Sequence, residues 1–332
     1  MIKRKFDSTY LKPDLYIKLY DTCIKPILLY GAEVWAPYML KFDKNLNRSN
    51  NPDILEELYE KLPAEKIQLK FLKMLLGLHK TSSNIAVRSE LGIYPIVITA
   101  LPLMIKYWLN MNMNPRDKLV FFTLNEGSEN YNFFIKSFLN HIGFNHIFDN
   151  KSTSSISGTV LSIKRIMQSR YQSYIKKVMN NNESKLRTYN LFKQGYNQEK
   201  YLSLPLPKED IRIFTKFRIS SHNLEIESGR HSSKNKPKID AKSRFCKICA
   251  NNQIEDEQHF LITCQKYTNI REILLKHIEN IDTRSSIRTM PINILFKYLM
   301  VNKDPNIMIP LIKHIKNCFN IRKAYLESIP SL

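Results

Sequence analysis

Glycine is scarce in this chain, with only 8 glycines among 332 residues. Architectures built from strands and tight turns usually need more glycine, because their turns place residues at positive φ. The shortage therefore favours helices. Apolar residues recur at offsets of three and four between Pro13 and Tyr38 and again after Pro63, as on a helix face. Gly31 would be tolerated inside the first of these helices. We predict a mainly α fold.

Long apolar runs are also missing. No stretch reaches the ~20 apolar residues of a membrane-spanning helix, and the nearest candidate, residues 93–113, contains Pro95, Pro102 and Lys106. The N-terminus carries charges throughout and has no secretory signal. We therefore expect no membrane partner and an intracellular location, in the nucleus, the cytoplasm or both.

Acidic residues are too few to balance the basic ones. The chain has 51 Lys and Arg against 30 Asp and Glu, a formal net charge of +21. Such an excess attracts polyanions through phosphate contacts, so nucleic acid, RNA or DNA, is the predicted partner. A lysine-rich surface that serves solubility alone is the other interpretation. The predicted nucleic-acid contacts are Arg218, Arg230, Lys234, Lys236, Lys238, Lys242, Arg244, Lys247, Lys266 and Arg271.

The five cysteines do not suit a disulfide framework, because their number is odd and three of them cluster. Cys246, Cys249, His259 and Cys264 follow the spacing C-x2-C-x9-H-x4-C. Three thiolates and one imidazole fill a tetrahedral zinc site, which is the closed, structural kind. The sequence therefore predicts one structural Zn²⁺, with chance proximity of these residues as the alternative.

Three further residues, Glu257, His222 and His231, lie within or before the zinc pattern in sequence. Glu257 could orient His259 as a hydrogen-bonded carboxylate, or it could be a solvated acid that balances nearby lysines. His222 and His231 lie outside the ligand spacing and are interpreted as surface or capping histidines.

Several blocks of the chain occur in an order that resembles a known family. They are residues 28–35 (LLYGAEVW), 71–77 (FLKMLLG), 90–95 (ELGIYP), 185–189 (KLRTY), 218–222 (RISSH), 226–230 (IESGR) and 255–261 (EDEQHFL) with the flanking cysteines. This series is similar to the region that follows the reverse transcriptase domain in non-LTR retrotransposon polyproteins. The resemblance covers most of the chain, from about residue 16 to residue 267.

The resemblance implies a thumb-like helical bundle followed by a zinc-knuckle-like region that helps to hold template RNA or target DNA. The spacing between the two halves of the zinc pattern is longer than in the retroviral knuckle. A polymerase site of this family needs an Asp-Asp turn, and this sequence contains no Asp-Asp pair. The catalytic palm would lie before Met1, so a missing upstream reverse transcriptase domain is a further expected partner.

From these features we expect a helical, thumb-like bundle over residues 1–148, a helical and basic linker region over 149–242, and a zinc-binding segment with C-terminal helices over 243–332. The polar residues 149–158 are the expected linker. The expected function is nucleic-acid binding without catalysis by this chain alone. Two alternatives remain: part of an RNA-directed DNA polymerase or nuclease that needs an upstream domain, and a zinc-stabilised protein-interaction module.

Overall fold

The computed structural model of the protein describes residues 13–39, 53–113, 129–150, 155–181, 184–230, 232, 237–249, 251–283 and 286–328. Three residues named above, His231, Lys234 and Lys236, fall outside these ranges. Helices dominate the described residues, which confirms the mainly α prediction. The described part of the chain contains no named strand, and an isolated antiparallel bridge pairs Phe245 with Ile254.

Ten α-helices of the described ranges precede residue 180. They are α1 (Pro13–Leu19), α2 (Lys25–Leu29), α3 (Ala32–Met39), α4 (Ile54–Tyr59), α5 (Pro63–Leu75), α6 (Asn84–Leu91), α7 (Val97–Met113), α8 (Glu129–His141), α9 (Asn145–Asp149) and α10 (Ile156–Met179). A π-helical turn, Tyr20–Ile24, joins α1 to α2.

Six further α-helices follow in the described residues. They are α11 (Arg187–Phe192), α12 (Lys208–Arg218), α13 (Glu225–Ser228), α14 (Thr268–Ile281), α15 (Ile292–Val301) and α16 (Pro305–Ser328). None of the described helices has the length and apolar content needed to cross a membrane.

The helices form two compact units, each made from separate stretches of sequence. The larger unit contains the described residues of Lys73–Leu91 and Met179–Leu332, together with Pro13 and Asp14. The smaller unit contains those of Leu15–Leu72 and Gly92–Val178. The division into segments 1–148, 149–242 and 243–332 stays a prediction.

In the smaller unit, α3 packs against α7. Helix α7 is largely apolar, and its Trp108 lies in the core at 1% exposure. The indole of Trp108 stacks on Phe148, and its Nε1 donates to Asn132 Oδ1 at 2.9 Å. A buried indole N–H needs an acceptor, and Asn132 provides it.

Gly31 does not lie inside one long helix, so that part of the sequence interpretation is wrong. The helix α2 ends at Leu29, Tyr30 is extended with ψ 125°, and Gly31 has φ +64°. A residue with a side chain is strained at this φ, whereas glycine adopts it freely. The turn exposes the carbonyl of Tyr30, which accepts a hydrogen bond from Trp35 Nε1 at 2.8 Å.

The expected linker over residues 149–158 also needs correction at its end. Helix α10 begins at Ile156, and the hydroxyl of Ser155 accepts a hydrogen bond from the Gly158 amide at 3.1 Å. Serine at a helix N-terminus satisfies an amide that has no partner within the helix. The serine-rich composition therefore marks a helix start as well as a connection.

The larger unit contains a fully buried ion pair. Arg218, at the end of α12, donates from Nε to Glu90 Oε2 at 3.0 Å and from NH2 to Glu90 Oε1 at 3.1 Å. Arg218 NH1 also donates to the carbonyl of Met300 at 2.8 Å, and Tyr201 donates to Glu90 Oε2 at 2.5 Å. Burial raises the pKa of Glu90, but the Arg218 guanidinium and its hydrogen bonds bring that pKa below its ordinary value.

We expect Glu90→Gln to lower the free energy of unfolding by about 3–5 kcal/mol, because it leaves a buried guanidinium without its main counter-charge. Urea unfolding followed by circular dichroism measures the loss. The carboxylate contributes stability above its unfolded-state pKa, and this contribution is lost as the pH falls through its folded-state pKa. The difference in the free energy of unfolding between the variant and the wild type should therefore become smaller at low pH.

The matched control is Glu209→Gln, which breaks the solvent-exposed pair between Glu209 and Arg212. Exposed pairs contribute little, so this change should cost less than about 1 kcal/mol. Equal losses in the two variants would contradict the structural role given to the buried pair.

Candidate metal centre

The first two cysteines lie on a turn that is closed by the bridge between Phe245 and Ile254. The amide of Cys246 donates to the Gln253 carbonyl at 2.8 Å, and the amide of Glu255 donates to the Arg244 carbonyl at 2.9 Å. These two bonds fix the ends of the turn that carries Cys246 and Cys249. Both thiols are buried. The two-residue gap between them therefore points both sulfur atoms to one side of the turn.

The other two candidate ligands belong to a short π-helical turn, His259–Thr263, which ends at Cys264. Asp256 Oδ1 accepts a hydrogen bond from the His259 amide at 2.7 Å, as a helix-capping side chain does. The Cys264 amide donates to the His259 carbonyl at 2.8 Å. This hydrogen bond joins residues five positions apart, so it brings His259 and Cys264 onto the same side of the turn.

The structure brings together all four predicted ligands. One ligand atom from each of Cys246, Cys249, His259 and Cys264 lies within 4.8 Å of the others, and all four residues are buried. Cys249 Sγ and His259 Nε2 are 3.4 Å apart. Sulfur and nitrogen ligands of one tetrahedral ion are separated by about 3.6 Å, given bonds of about 2.3 and 2.1 Å. The group can therefore hold a metal ion.

The thiols interact with one another. A hydrogen bond with Cys264, together with burial, raises the pKa of Cys246 to about 12, and the same hydrogen bond lowers the pKa of Cys264. Thiols share protons in this way when several converge on one point. A cation at that point binds thiolates, so binding it releases protons.

His259 is held in the orientation that a ligand needs. Its Nδ1 lies 2.8 Å from Gln253 Oε1 and 3.0 Å from Thr263 Oγ1. Either oxygen can accept a hydrogen bond from a protonated Nδ1, which leaves the lone pair of Nε2 directed towards Cys249. Neither Gln253 nor Thr263 was singled out from the sequence, although Thr263 lies one turn from His259 on the same helix.

Glu255 connects the segment that carries the four candidate ligands, residues 238–266, to α16. We call residues 238–266 the metal segment. Its carboxylate accepts hydrogen bonds from Arg322 Nε and NH2, both at 2.8 Å, and the pair is almost fully buried. Glu255 Oε2 also accepts from the Glu225 amide at 2.8 Å. Arg322 lies in α16, so the carboxylate joins this helix to the segment that carries the ligands. A buried carboxylate needs such partners, because burial alone disfavours its charge.

Glu257 is buried at 1% exposure, so its interpretation as a solvated acid is wrong. Ser220 donates to Oε1 at 2.6 Å and Thr188 donates to Oε2 at 2.9 Å, while His222 Nε2 lies 2.9 Å from Oε1. Burial raises the pKa of Glu257, but the hydrogen bond and charge of His222, with the charge of Arg187, bring that pKa down to about 2. The carboxylate thus serves the core of the larger unit.

His222 is correspondingly not a surface histidine, since its side chain is 1% exposed. The positions of Glu255 and Glu257 in the sequence did not indicate the partners of either carboxylate, because those partners come from distant parts of the sequence.

Phe260 adds an apolar anchor next to the ligand His259. Its ring lies 5.7 Å from Phe217, 4.6 Å from Phe319 and 5.1 Å from Tyr267. Aromatic packing of this kind contributes beyond the apolar area that it buries. The metal segment thus shares a core with α12 and α16, rather than depending on the ion alone.

The arginines among the predicted nucleic-acid contacts have partners inside the protein. Arg218 is paired with Glu90, and Arg230 with Glu227. Arg244 is 6% exposed and donates to the carbonyls of Ile239 and Ile226, and Arg271 donates to the Cys264 carbonyl at 3.0 Å. A planar guanidinium with several N–H groups can hold a loop through its carbonyls in this way. Arg244 and Arg271 therefore stabilise the segment around the metal centre, while Arg218 belongs to the buried ion pair described above.

The four lysines of the same prediction that the structure describes are exposed. Lys238 and Lys242 are open to solvent, Lys247 pairs with Glu225 at 2.9 Å while remaining half exposed, and Lys266 lies over the ring of Tyr325 at 5.2 Å. A flexible, hydrated ammonium group suits such positions. We call Lys238, Lys242, Lys247 and Lys266 the lysine border of the metal segment.

The chain matches no family model, and it is similar to no curated protein and no solved structure. Within the ranges that the structure describes, the Cys3His group is the one cluster found with three or more convergent metal-binding side chains.

We expect the full-length wild type to bind one metal ion and the double variant Cys246→Ser, Cys249→Ser to bind none, because half of the ligand set is removed. Mass spectrometry under native conditions measures the stoichiometry. Cys23→Ser is the matched control, since Cys23 is exposed and outside the cluster. Full metal content in the double variant would refute the ligand assignment.

A second variant tests the orientation of His259. Removing both Nδ1 partners, with Gln253→Ala and Thr263→Val together, should weaken metal binding by about 10–100-fold, as loss of hydrogen-bonded partners of a ligand does. Competition with a metal-binding dye measures the affinity. Gln265→Ala removes an exposed amide from the same segment and should leave the affinity unchanged. A similar loss in both variants would argue against the hydrogen-bonding role.

Proposed function

We propose that this chain is a nucleic-acid-binding module in which a structural zinc ion holds a basic segment against a helical core. The observation that carries the proposal is the buried Cys3His group, with exposed lysines close to its ligands in sequence. The chemistry of the ligands favours zinc, since three thiolates and an imidazole are typical of tetrahedral structural zinc sites. Four protein ligands leave no position for a catalytic water.

A relationship to the region that follows the reverse transcriptase domain of non-LTR retrotransposons is part of this proposal. It is supported by hydrogen bonds within the larger unit that connect the blocks on which the resemblance rests. Glu90 binds Arg218, and Glu257 binds Ser220 and His222. Residues that resemble one family and also bind one another are expected of a shared fold. The thumb-like role of the helices belongs to the same proposal.

The lysine border supports binding to phosphates. Its members lie on both sides of the ligand set in sequence, and the net charge of +21 adds a general attraction for polyanions. RNA or DNA is the partner that the charge favours, because phosphate neutralisation releases counterions and contributes most of a non-specific affinity.

A second candidate function is a protein-interaction module. The specific observation in its favour is a set of apolar side chains near the start of the smaller unit that solvent reaches. Ile27 is 74% exposed, Tyr30 87% and Val34 57%. Large exposed apolar side chains that lie close together often mark a partner surface. Binding to a protein through these residues is compatible with nucleic-acid binding through the lysine border.

We expect the logarithm of the affinity for a single-stranded oligonucleotide to fall steeply with the logarithm of salt concentration, because phosphate contacts dominate. Filter binding across a salt series measures the slope. Lys238→Gln with Lys242→Gln should make the slope shallower by about 1.4, at about 0.7 for each phosphate that is no longer neutralised. An affinity that does not respond to salt would refute the proposed function.

The matched control is the pair Lys297→Gln and Lys303→Gln, which removes the same charge from exposed lysines elsewhere in the larger unit. Its slope should stay close to that of the wild type. Equal changes in the two double variants would mean that the overall charge acts, and not the lysine border.

A further inference from the structure

Phe245 is an exposed aromatic residue in the middle of the metal segment, and its side chain serves neither as a metal ligand nor as part of the buried core. It is 43% exposed, while its two neighbours, Arg244 and Cys246, are 6% and 5% exposed. Successive residues of an extended backbone point to opposite sides. Because Arg244 and Cys246 must face inwards to reach their partners, the ring of Phe245 must face solvent.

The backbone at Phe245 is fixed on both sides. The bridge to Ile254 is made by the two hydrogen bonds on either side of Phe245, from Cys246 to Gln253 and from Glu255 to Arg244. The guanidinium of Arg244 holds the carbonyls of Ile226 and Ile239 at 2.6–3.0 Å. A ring presented by such a rigid backbone loses little conformational freedom when a ligand packs on it.

Cross-strand pairing places Ile254 on the same side as Phe245. Ile254 is only partly buried, so the two side chains form a small apolar surface next to the metal centre. A flat aromatic ring that is 43% exposed can be contacted by a flat ligand.

Basic residues lie close to Phe245 in sequence. Lys242 and Lys247 lie within three residues of Phe245 and are exposed, whereas the nearby acids Asp240 and Glu225 have partners. Asp240 accepts a hydrogen bond from the Lys242 amide, and Glu225 pairs with Lys247 and Arg322. An exposed aromatic ring among lysines is the combination that binds single-stranded nucleic acid, with the ring stacked on a base and the lysines on phosphates.

We infer that Phe245 is a stacking platform for an unpaired nucleobase, so that the metal segment binds single-stranded rather than fully paired nucleic acid. This inference rests on the proposed function and adds a preference to it. Bases in a duplex present only their edges, so the ring has no exposed base to stack on there. A protein partner would gain apolar contact from Phe245 but no benefit from the adjacent lysines, unless it were acidic.

The test compares two probes of equal phosphate number, a 20-mer of thymidine and a 20-mer of abasic sites. The zinc-loaded full chain should bind the thymidine probe more tightly, by between about fivefold and about a hundredfold, as expected for the stacking of one base. Phe245→Ala should remove this preference and leave the salt dependence unchanged. Phe245→Trp should retain the preference, while Phe245→Leu, which keeps the apolar bulk without an aromatic face, should lose most of it.

Tyr30→Ala is the matched control, because Tyr30 is another exposed aromatic residue and lies outside the metal segment. It should retain the preference for thymidine. A preference that survives Phe245→Ala, or that Tyr30→Ala removes equally, would overturn the assignment to Phe245. Equal binding of both probes by the wild type would also overturn it, while leaving the proposed function intact if binding still weakens with salt. Failure to bind either probe at low salt would refute the proposed function itself.

Discussion

The pairing of buried charges is the constraint on which the larger unit depends. Glu255 and Glu257 stand two residues apart and are both buried, and they bind different partners, Arg322 in the first case and Ser220, Thr188 and His222 in the second. A carboxylate in such surroundings stays charged only if hydrogen bonds and cations replace the lost water. These two side chains thus connect the metal segment to the helices on both sides of it, before any ion is considered.

The same constraint divides the basic residues into two groups. Arginines such as Arg218 and Arg244 serve as internal partners, because a planar guanidinium can satisfy several acceptors at once. Lysines such as Lys238 and Lys242 remain in water. A count of positive charges along the sequence therefore overstates the surface available to a polyanion. The contact surface that we propose is smaller than the basic run from Arg230 to Lys247, and lysine supplies it.

The metal centre and the exposed ring of Phe245 are parts of one arrangement. Arg244 and Cys246 both face inwards, at 6% and 5% exposure, and the side chain of Phe245 between them is turned outwards. Four protein ligands would leave a bound ion no open position for chemistry, so we propose that the ion acts indirectly, by holding the residues that contact a nucleic acid. On the inner side of the segment, Phe260 provides apolar contact with the core, since its ring packs against Phe217 and Phe319.

The sequence by itself determined the helical class and the four residues that converge as candidate metal ligands. The scarcity of glycine and the recurrence of apolar residues with a period near 3.6 both favour helices over sheets. The spacing C-x2-C-x9-H-x4-C identifies the four candidate ligands. Both signals are local in sequence. Only the tertiary structure decided which charged side chains are buried and paired. Glu90 and Arg218, for example, are 128 positions apart in the sequence and form an ion pair in the fold. The tertiary structure also decided where Gly31 breaks a helix, and that Glu257 and His222 are buried together, because burial depends on contacts between residues far apart in the chain.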